Sequence, residues 1–381
     1  MGIYCDHNAT APVRPEVVDR MLPFLREAFG NASSVHAAGS RARCAVEEAR
    51  ASVAALVGAT PAEITFTSGG TESNNLALFG LISPETSNCI VTTPIEHASI
   101  REPIAVLHER GVAVEQLAVD TWGRITAVSE HVLQPPAIFS VGWANNEVGT
   151  IQPIAQIAAA CRQAGHLLHV DAVQAAGKIP VSVDGIDVLS LSGHKLGGPQ
   201  GVGALFVRRA VTLRPQLLGG AQERGRRAGT ENVPAIVGFG AACRLAAAEL
   251  GGYMESCLAM REELWQRLTG GLAGVHRNSP LGTTCLPNTL NVSFGGVRGE
   301  ALVAALDLDG VAVSSGSACA AGAGAPSHVL EAMGRSSDAA RDGIRFSFGR
   351  GNTTEQVERI AALTIAAVAR IRAVRGSGDD A

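Results

Sequence analysis

Of the 31 lysines and arginines in this chain of 381 residues only two are lysine, and one of them, Lys195, closes the run Ser190-Leu191-Ser192-Gly193-His194-Lys195. An amine can lose its proton and attack a carbonyl, whereas a guanidinium stays charged and cannot. A lysine kept at the end of an apolar run therefore suggests a Schiff-base former. Lys178, in Ala176-Gly177-Lys178-Ile179, fits an incidental surface lysine instead. Cys319 is the other distinctive nucleophile, because small residues surround it throughout 314–326. Such a segment has little to pack, so it suggests a mobile loop with an exposed thiol. The competing reading is a small-residue turn with an incidental cysteine.

Four further groups bear on the pattern. Thr67-Ser68-Gly69-Gly70-Thr71-Glu72 joins a strand to a helix start. Glycines there let the backbone approach an anion, which the free N–H groups and the helix dipole attract. The alternative is a tight βα turn with a Ser/Thr cap. The stretch matches neither the dinucleotide nor the triphosphate glycine pattern. Asp171 follows the apolar Leu167-Leu168-His169-Val170, at the sheet edge where α/β proteins bind ligands. Its partner there is either a protonated pyridine nitrogen or the local backbone. A phosphate cradle, a strand-end acid and a strand-end amine are together what pyridoxal phosphate requires. His97, after Pro94, is a cap or core residue, or a ring that stacks on such a cofactor. Asn145-Asn146 is turn-like, and its amides could serve the loop itself.

The elements that must hold these groups alternate. Between about residues 50 and 210, β-rich runs at 64–67, 89–92, 137–141, 167–170, 188–191 and 202–207 alternate with helical stretches at 72–81, 100–110 and 154–163. That order predicts βα units and a mainly parallel sheet. A long helical pattern follows over 235–268, with Gly251-Gly252 expected to mark a break or a domain boundary. An α+β pattern succeeds it: strand 289–294, helix 299–306, strand 343–348 and helix 354–374.

Bulk properties exclude other classes. With 46% hydrophobic and 17% charged residues the chain has the composition of a soluble globular protein, and a net charge of −4 gives no nucleic-acid surface. No apolar run is expected to span a membrane. Eight scattered cysteines without a Cys-x-x-Cys pair form neither a disulfide framework nor a metal site, which fits a reducing cytoplasm.

These motifs together resemble the NifS/IscS-type cysteine desulfurases, a branch of the class-V aminotransferases. The resemblance runs nearly end to end. It includes 6–10, 30–36, 68–75, Glu96-His97, 145–149, 169–171, Ser192-Gly193-His194-Lys195, 223–232, Ser314-Ser315-Gly316-Ser317-Ala318-Cys319 and 344–347. It implies pyridoxal-phosphate fold type I: a large α/β domain (14–252) on a mainly parallel seven-stranded sheet, and a smaller α+β domain (1–13 and 253–381) carrying the Cys319 loop. It also implies that Lys195 bonds the cofactor, Asp171 holds its ring nitrogen and Gln174 its phenolic oxygen. Gly70, Thr71, Ser192 and His194 would bind phosphate, together with Thr230 from the second copy of a homodimer. His97 would stack on the ring and relay protons. Asn146 would seat cofactor or substrate, and Arg345 would clamp the carboxylate of the substrate, L-cysteine. Cys319 would take the sulfur and pass it to an acceptor or scaffold protein docking nearby. Trp143-Ala144, Gly197-Gly198, Ala221 and the Ala/Gly run after Cys319 depart from the usual family pattern without removing a catalytic group. A pyridoxal-phosphate enzyme of other specificity and a non-enzymatic scaffold are the two rival readings.

Overall fold

The computed structural model describes residues 2–82, 89–127, 137–315 and 325–376; Cys319 lies outside them. In chain order the first half carries β1 (Ile3–Tyr4), α1 (Pro15–Arg26), α2 (Ala37–Val57), β2 (Ile64–Thr67), α3 (Gly70–Leu81), β3 (Cys89–Thr92), α4 (Ala98–Glu109), β4 (Ala113–Gln116), β5 (Ile138–Gly142), α5 (Ile154–Ala164), β6 (Leu167–Asp171), β7 (Val188–Ser192) and β8 (Gly203–Val207). The second half carries α6 (Val233–Gly271), β9 (Val275–Arg277), β10 (Thr289–Phe294), α7 (Gly299–Leu308), β11 (Val311–Ala312), β12 (Ser314–Ser315), α8 (His328–Ala332), β13 (Gly343–Ser347) and α9 (Thr354–Gly376).

Seven strands form the large sheet in the order β2-β8-β7-β6-β5-β3-β4. Only β8 runs against its neighbours, β2 and β7. Burial on both faces explains the near-continuous apolar runs of the central strands. His169 is the polar exception in β6. Its ring meets Ser140 Oγ of β5 at 2.9 Å and Ser190 Oγ of β7 at 3.0 Å. Complete burial drives its pKa down to about 3, so the ring is a neutral pin between strands. The edge strand β4 escaped the sequence pattern because it is short, largely exposed and carries Glu115 and Gln116.

The largest apolar cluster packs α1, α2, α5 and the first half of α6 on this sheet. A second cluster joins Ile3 and Cys5 to Tyr253, Leu264, the β10–β13 strands and α9. The changeover falls inside α6, between Ala246 of the first cluster and Tyr253 of the second. The expected break at Gly251-Gly252 does not occur: α6 runs unbroken, and both glycines lie on its exposed face with open space around them. The expectation about apolar runs also needs correction. By length and composition α6 could cross a membrane, but much of that stretch is buried inside the fold. Close packing accounts for this: a Cβ on Gly240 would come within 2.6 Å of Ala49 Cα in α2.

A buried ion pair fixes the loop before α6. Arg50 donates to both Glu223 oxygens at 2.7 and 2.8 Å, and one of these also accepts from Phe66 N at 2.8 Å. Glu223 and Arg224 are left-handed at φ 48° and 58°, a conformation non-glycine residues adopt only when their surroundings hold them there. Replacing Glu223 with alanine strands the Arg50 charge, so urea unfolding should show a loss of about 3 kcal/mol. An unchanged midpoint would contradict this.

Candidate active site

A cavity of about 380 Å³ opens where β5, β6 and β7 end, bordered by Gly142, Asp171 and Ser192. The start of α3 supplies Gly70 and Thr71, the loop before α4 supplies His97, and β12 and β13 supply Ser314 and Arg345. Lys195 enters from a single helical turn, Gly193–Lys195, that follows β7 directly. The structure thus brings together Lys195, His97, Gly70, Thr71, Asn146, Asp171, Gln174, Ser192, His194 and Arg345. Thr230 is exposed and does not border the cavity of its own chain.

Lys195 Nζ donates to the main-chain carbonyls of Asn8 at 2.6 Å and Ala9 at 2.7 Å. These two carbonyls aim the amine without adding a counter-charge. Asp171 engages the local backbone and a neighbouring side chain. Its Oδ1 accepts from Val173 N at 2.9 Å within the loop, and its Oδ2 accepts from Asn74 Nδ2 at 2.8 Å. His97 is likewise both a cap and a cavity residue. Its Nδ1 accepts from Ser99 N at 3.1 Å, which in the neutral ring leaves the proton on Nε2. Burial lowers its pKa, with Asp171 opposing that shift and Lys195 and Arg101 adding to it.

His194 Nδ1 lies 3.1 Å from Thr10 Oγ1. Burial pushes its pKa down to about 4, helped by Lys195 and Lys178. Arg345 is already engaged: Nη1 donates to Asn146 O at 2.9 Å and Nη2 to Asp6 Oδ1 at 2.6 Å. A carboxylate arriving at this guanidinium must therefore compete with Asp6.

Several further residues lie in or beside the quoted motifs but were given no role from the sequence. Asp6, Asn8, Asn74 and Ser99 all border the cavity. Asn74 had a usable signal, since it lies one helical turn after Gly70 and so shares its face. Asn8 lies within the 6–10 motif, but only the fold brings position 8 beside position 195. Lys178 requires a correction. It is buried at 3% exposure, with Nζ 2.7 Å from Asn8 Oδ1 and 2.6 Å from Gln174 Oε1, not a surface lysine. Its short Gly177-Lys178-Ile179 context gave no sign of what would cover it.

The cavity suits a ligand combining an anionic group with a ring. Its volume is within the range of small-molecule sites, about 300–1,000 Å³. The first N–H groups of α3 have no intrahelical partner, and helix geometry directs them at the space in front of Gly70. A Cβ at Gly70 would lie 2.7 Å from Val173 Cγ2 and crowd that space. The buried Asn74 Oδ1 has no hydrogen-bond partner. An acid, an amine and an anion cradle on one cavity match the donor set of pyridoxal phosphate.

Glu96 forms part of the same wall. Its Oε1 accepts from Thr93 Oγ1 at 2.6 Å and its Oε2 from Gly142 N at 2.9 Å. Burial nonetheless raises its pKa to about 7, with those two bonds opposing the shift and Asp171 adding to it. Because the folded value lies above the unfolded one, its stabilising contribution is present at low pH and is lost as pH rises through 7. Glu96→Gln removes that loss, so relative to the native chain it should gain about 2 kcal/mol in urea unfolding between pH 5 and pH 8. A constant difference across that range would refute the assignment.

Comparison with known proteins agrees with the site. The class-V aminotransferase family model matches residues 3–360. A cysteine desulfurase of Gluconacetobacter diazotrophicus is 45% identical over 97% of this chain and 94% of its own. A protein of Bacillus subtilis named putative cysteine desulfurase IscS 1 is also 45% identical, over 94% and 96%. A solved NifS-like protein superposes with a TM-score of 0.90 at 38% identity, covering 97% of this chain and all of the other. With its mostly parallel sheet and its Lys195, Asp171 and Gly70 groups on one cavity, the chain belongs to the NifS/IscS-type cysteine desulfurases of the class-V aminotransferase family.

Proposed function

We propose that this chain removes sulfur from L-cysteine, giving L-alanine and a persulfide on Cys319. The observation that carries the reading is the convergence of Lys195, Asp171 and the α3 start on one cavity. Lys195 is the residue that would hold pyridoxal phosphate covalently, Asp171 its ring nitrogen and Gln174 its phenolic oxygen. Gly70, Thr71, Ser192 and His194 would receive the phosphate, with Thr230 of the partner subunit. When bound, that cofactor supplies a carbonyl carbon for the substrate amine and a ring that accepts the electron pair left at Cα.

The chain's own residues do the rest. With the substrate bound, the Lys195 amine would be the base that takes the Cα proton. Arg345 and Asn146 hold the substrate carboxylate, the guanidinium exchanging Asp6 for it. Cys319, as thiolate, attacks the substrate sulfur: an S–S bond forms and the C–S bond breaks. Its electron pair stays on the carbon skeleton, which takes up a proton on the way to L-alanine. His97, with its proton on Nε2, and Lys195 would deliver the protons.

The remaining thiols support Cys319 as the acceptor. Burial raises the pKa of Cys5 and Cys161 to about 12 and of Cys257 and Cys285 to about 11, which keeps them protonated. Cys44 is exposed on α2, and no described cysteine borders the cavity. Cys319 follows Ser314, which does border it, by five residues, so chain length alone keeps it within about 18 Å. A homodimer, a cytoplasmic location and delivery of the persulfide to an acceptor protein for iron–sulfur assembly or thiolation complete the proposal.

Borohydride reduction of the purified protein should place the reduced cofactor adduct on the Lys195 peptide; an adduct elsewhere, or none, rejects the reading. Cys319→Ser should lower sulfide release to background while keeping the cofactor absorbance. Mass spectrometry of the native chain after cysteine treatment should find one added sulfur on the Cys319 peptide. Full sulfide release by the serine variant would leave a pyridoxal-phosphate enzyme with another chemistry.

A further inference from the structure

Lys178 is buried, and no carboxylate pairs with it among the described residues. Its Nζ lies between two amide oxygens, Asn8 Oδ1 at 2.7 Å and Gln174 Oε1 at 2.6 Å. The charged or titratable groups around it are Lys195, Arg345, His7 and Cys257. A buried amine without a counter-ion is costly, so its retention calls for a task that an apolar side chain cannot perform.

The task follows from Gln174. Its Oε1 accepts from Lys178, while its Nε2 donates to Asn8 O at 2.9 Å and keeps a second N–H. Gln174 itself borders the cavity. Were the amide turned over, oxygen would face the Asn8 carbonyl and nitrogen would face the Lys178 N–H groups. Both hydrogen bonds would then become like-with-like contacts, each leaving a buried group unsatisfied. Without Lys178 only the Asn8 contact would distinguish the two orientations.

We propose that Lys178 is a positioning residue that locks the Gln174 amide with oxygen inward and nitrogen toward the cavity, so that the wall presents an N–H donor to an oxygen of the bound cofactor. This rests on the reading that the cavity holds pyridoxal phosphate. It assigns the second of the chain's two lysines to the same site as the first, acting through its neighbour rather than on the substrate.

The test is the pH titration of the cofactor's visible absorbance in purified holoenzyme. Lys178→Met and Gln174→Ala should each raise the midpoint by about one pH unit, the size expected for one lost donor to a charged oxygen. The double variant should match Gln174→Ala alone. Lys178→Gln carries no charge but keeps an N–H for Gln174, and should hold the midpoint near the native value. A native midpoint in folded Lys178→Met overturns the proposal. So do additive shifts in the double variant, or a shift in Lys178→Gln as large as in Lys178→Met, since either would mean the lysine acts by its charge. Borohydride mapping accompanies each sample: native protein without an adduct on Lys195 rejects the cofactor reading itself, and this inference with it.

Discussion

The buried main chain at Asn8 is the constraint on which the cavity depends. Its carbonyl receives both Lys195 and Gln174, and its amide nitrogen donates to Ser347 Oγ at 3.0 Å. The side chain accepts from Lys178 and Asn288 and donates to Thr289 Oγ1 and Asn146 O. Both hydrophobic cores are thereby tied to one residue: Gln174 and Lys195 follow β6 and β7, while Thr289 and Ser347 lie in β10 and β13 and Asn288 precedes β10. Each of these bonds is ordinary, but they form inside the protein, where an unmatched partner has no water to turn to.

Polar groups deep in the fold are accordingly neutral or paired. His169, His194 and His7 all have their pKa values lowered by burial, and Glu96 and Glu147 have theirs raised. A site of amides, neutral imidazoles and a carboxyl that burial pushes toward its protonated form, Glu96, offers donors and acceptors with few fixed charges. A charged ligand then meets mainly the groups directed at it: the α3 start, Asp171, Lys195 and Arg345. Such preorganisation in a dry setting strengthens each contact relative to water.

Much of this was legible in the sequence because chemistry and local pattern coincided. Lys195, Asp171 and Gly70 each sit at a strand or helix end, where apolar runs stop and glycine or a capping residue begins. Six of the seven strands of the large sheet were visible for the same reason, since they are short apolar runs between turn residues. What escaped depended on tertiary context. Asn8 lies in a motif that assigned it no role and Lys178 in unremarkable local sequence, and only burial gives them one. The break expected at Gly251-Gly252 failed because propensity is a local cost of about 1 kcal/mol per glycine, which packing at both ends of α6 outweighs. Cys319 was singled out by its small-residue neighbours, and it lies outside the described residues, which add only the reach from Ser314.

The unbroken α6 also bears on how the molecule can move. At 1.5 Å per residue its 39 residues span about 58 Å and are shared by both cores. A strut of that length resists bending, so swinging one lobe against the other would require melting helix near its middle. Access to the cavity must then depend on short connecting segments rather than on a clamshell motion, and heat or denaturant should release both lobes in a single cooperative step.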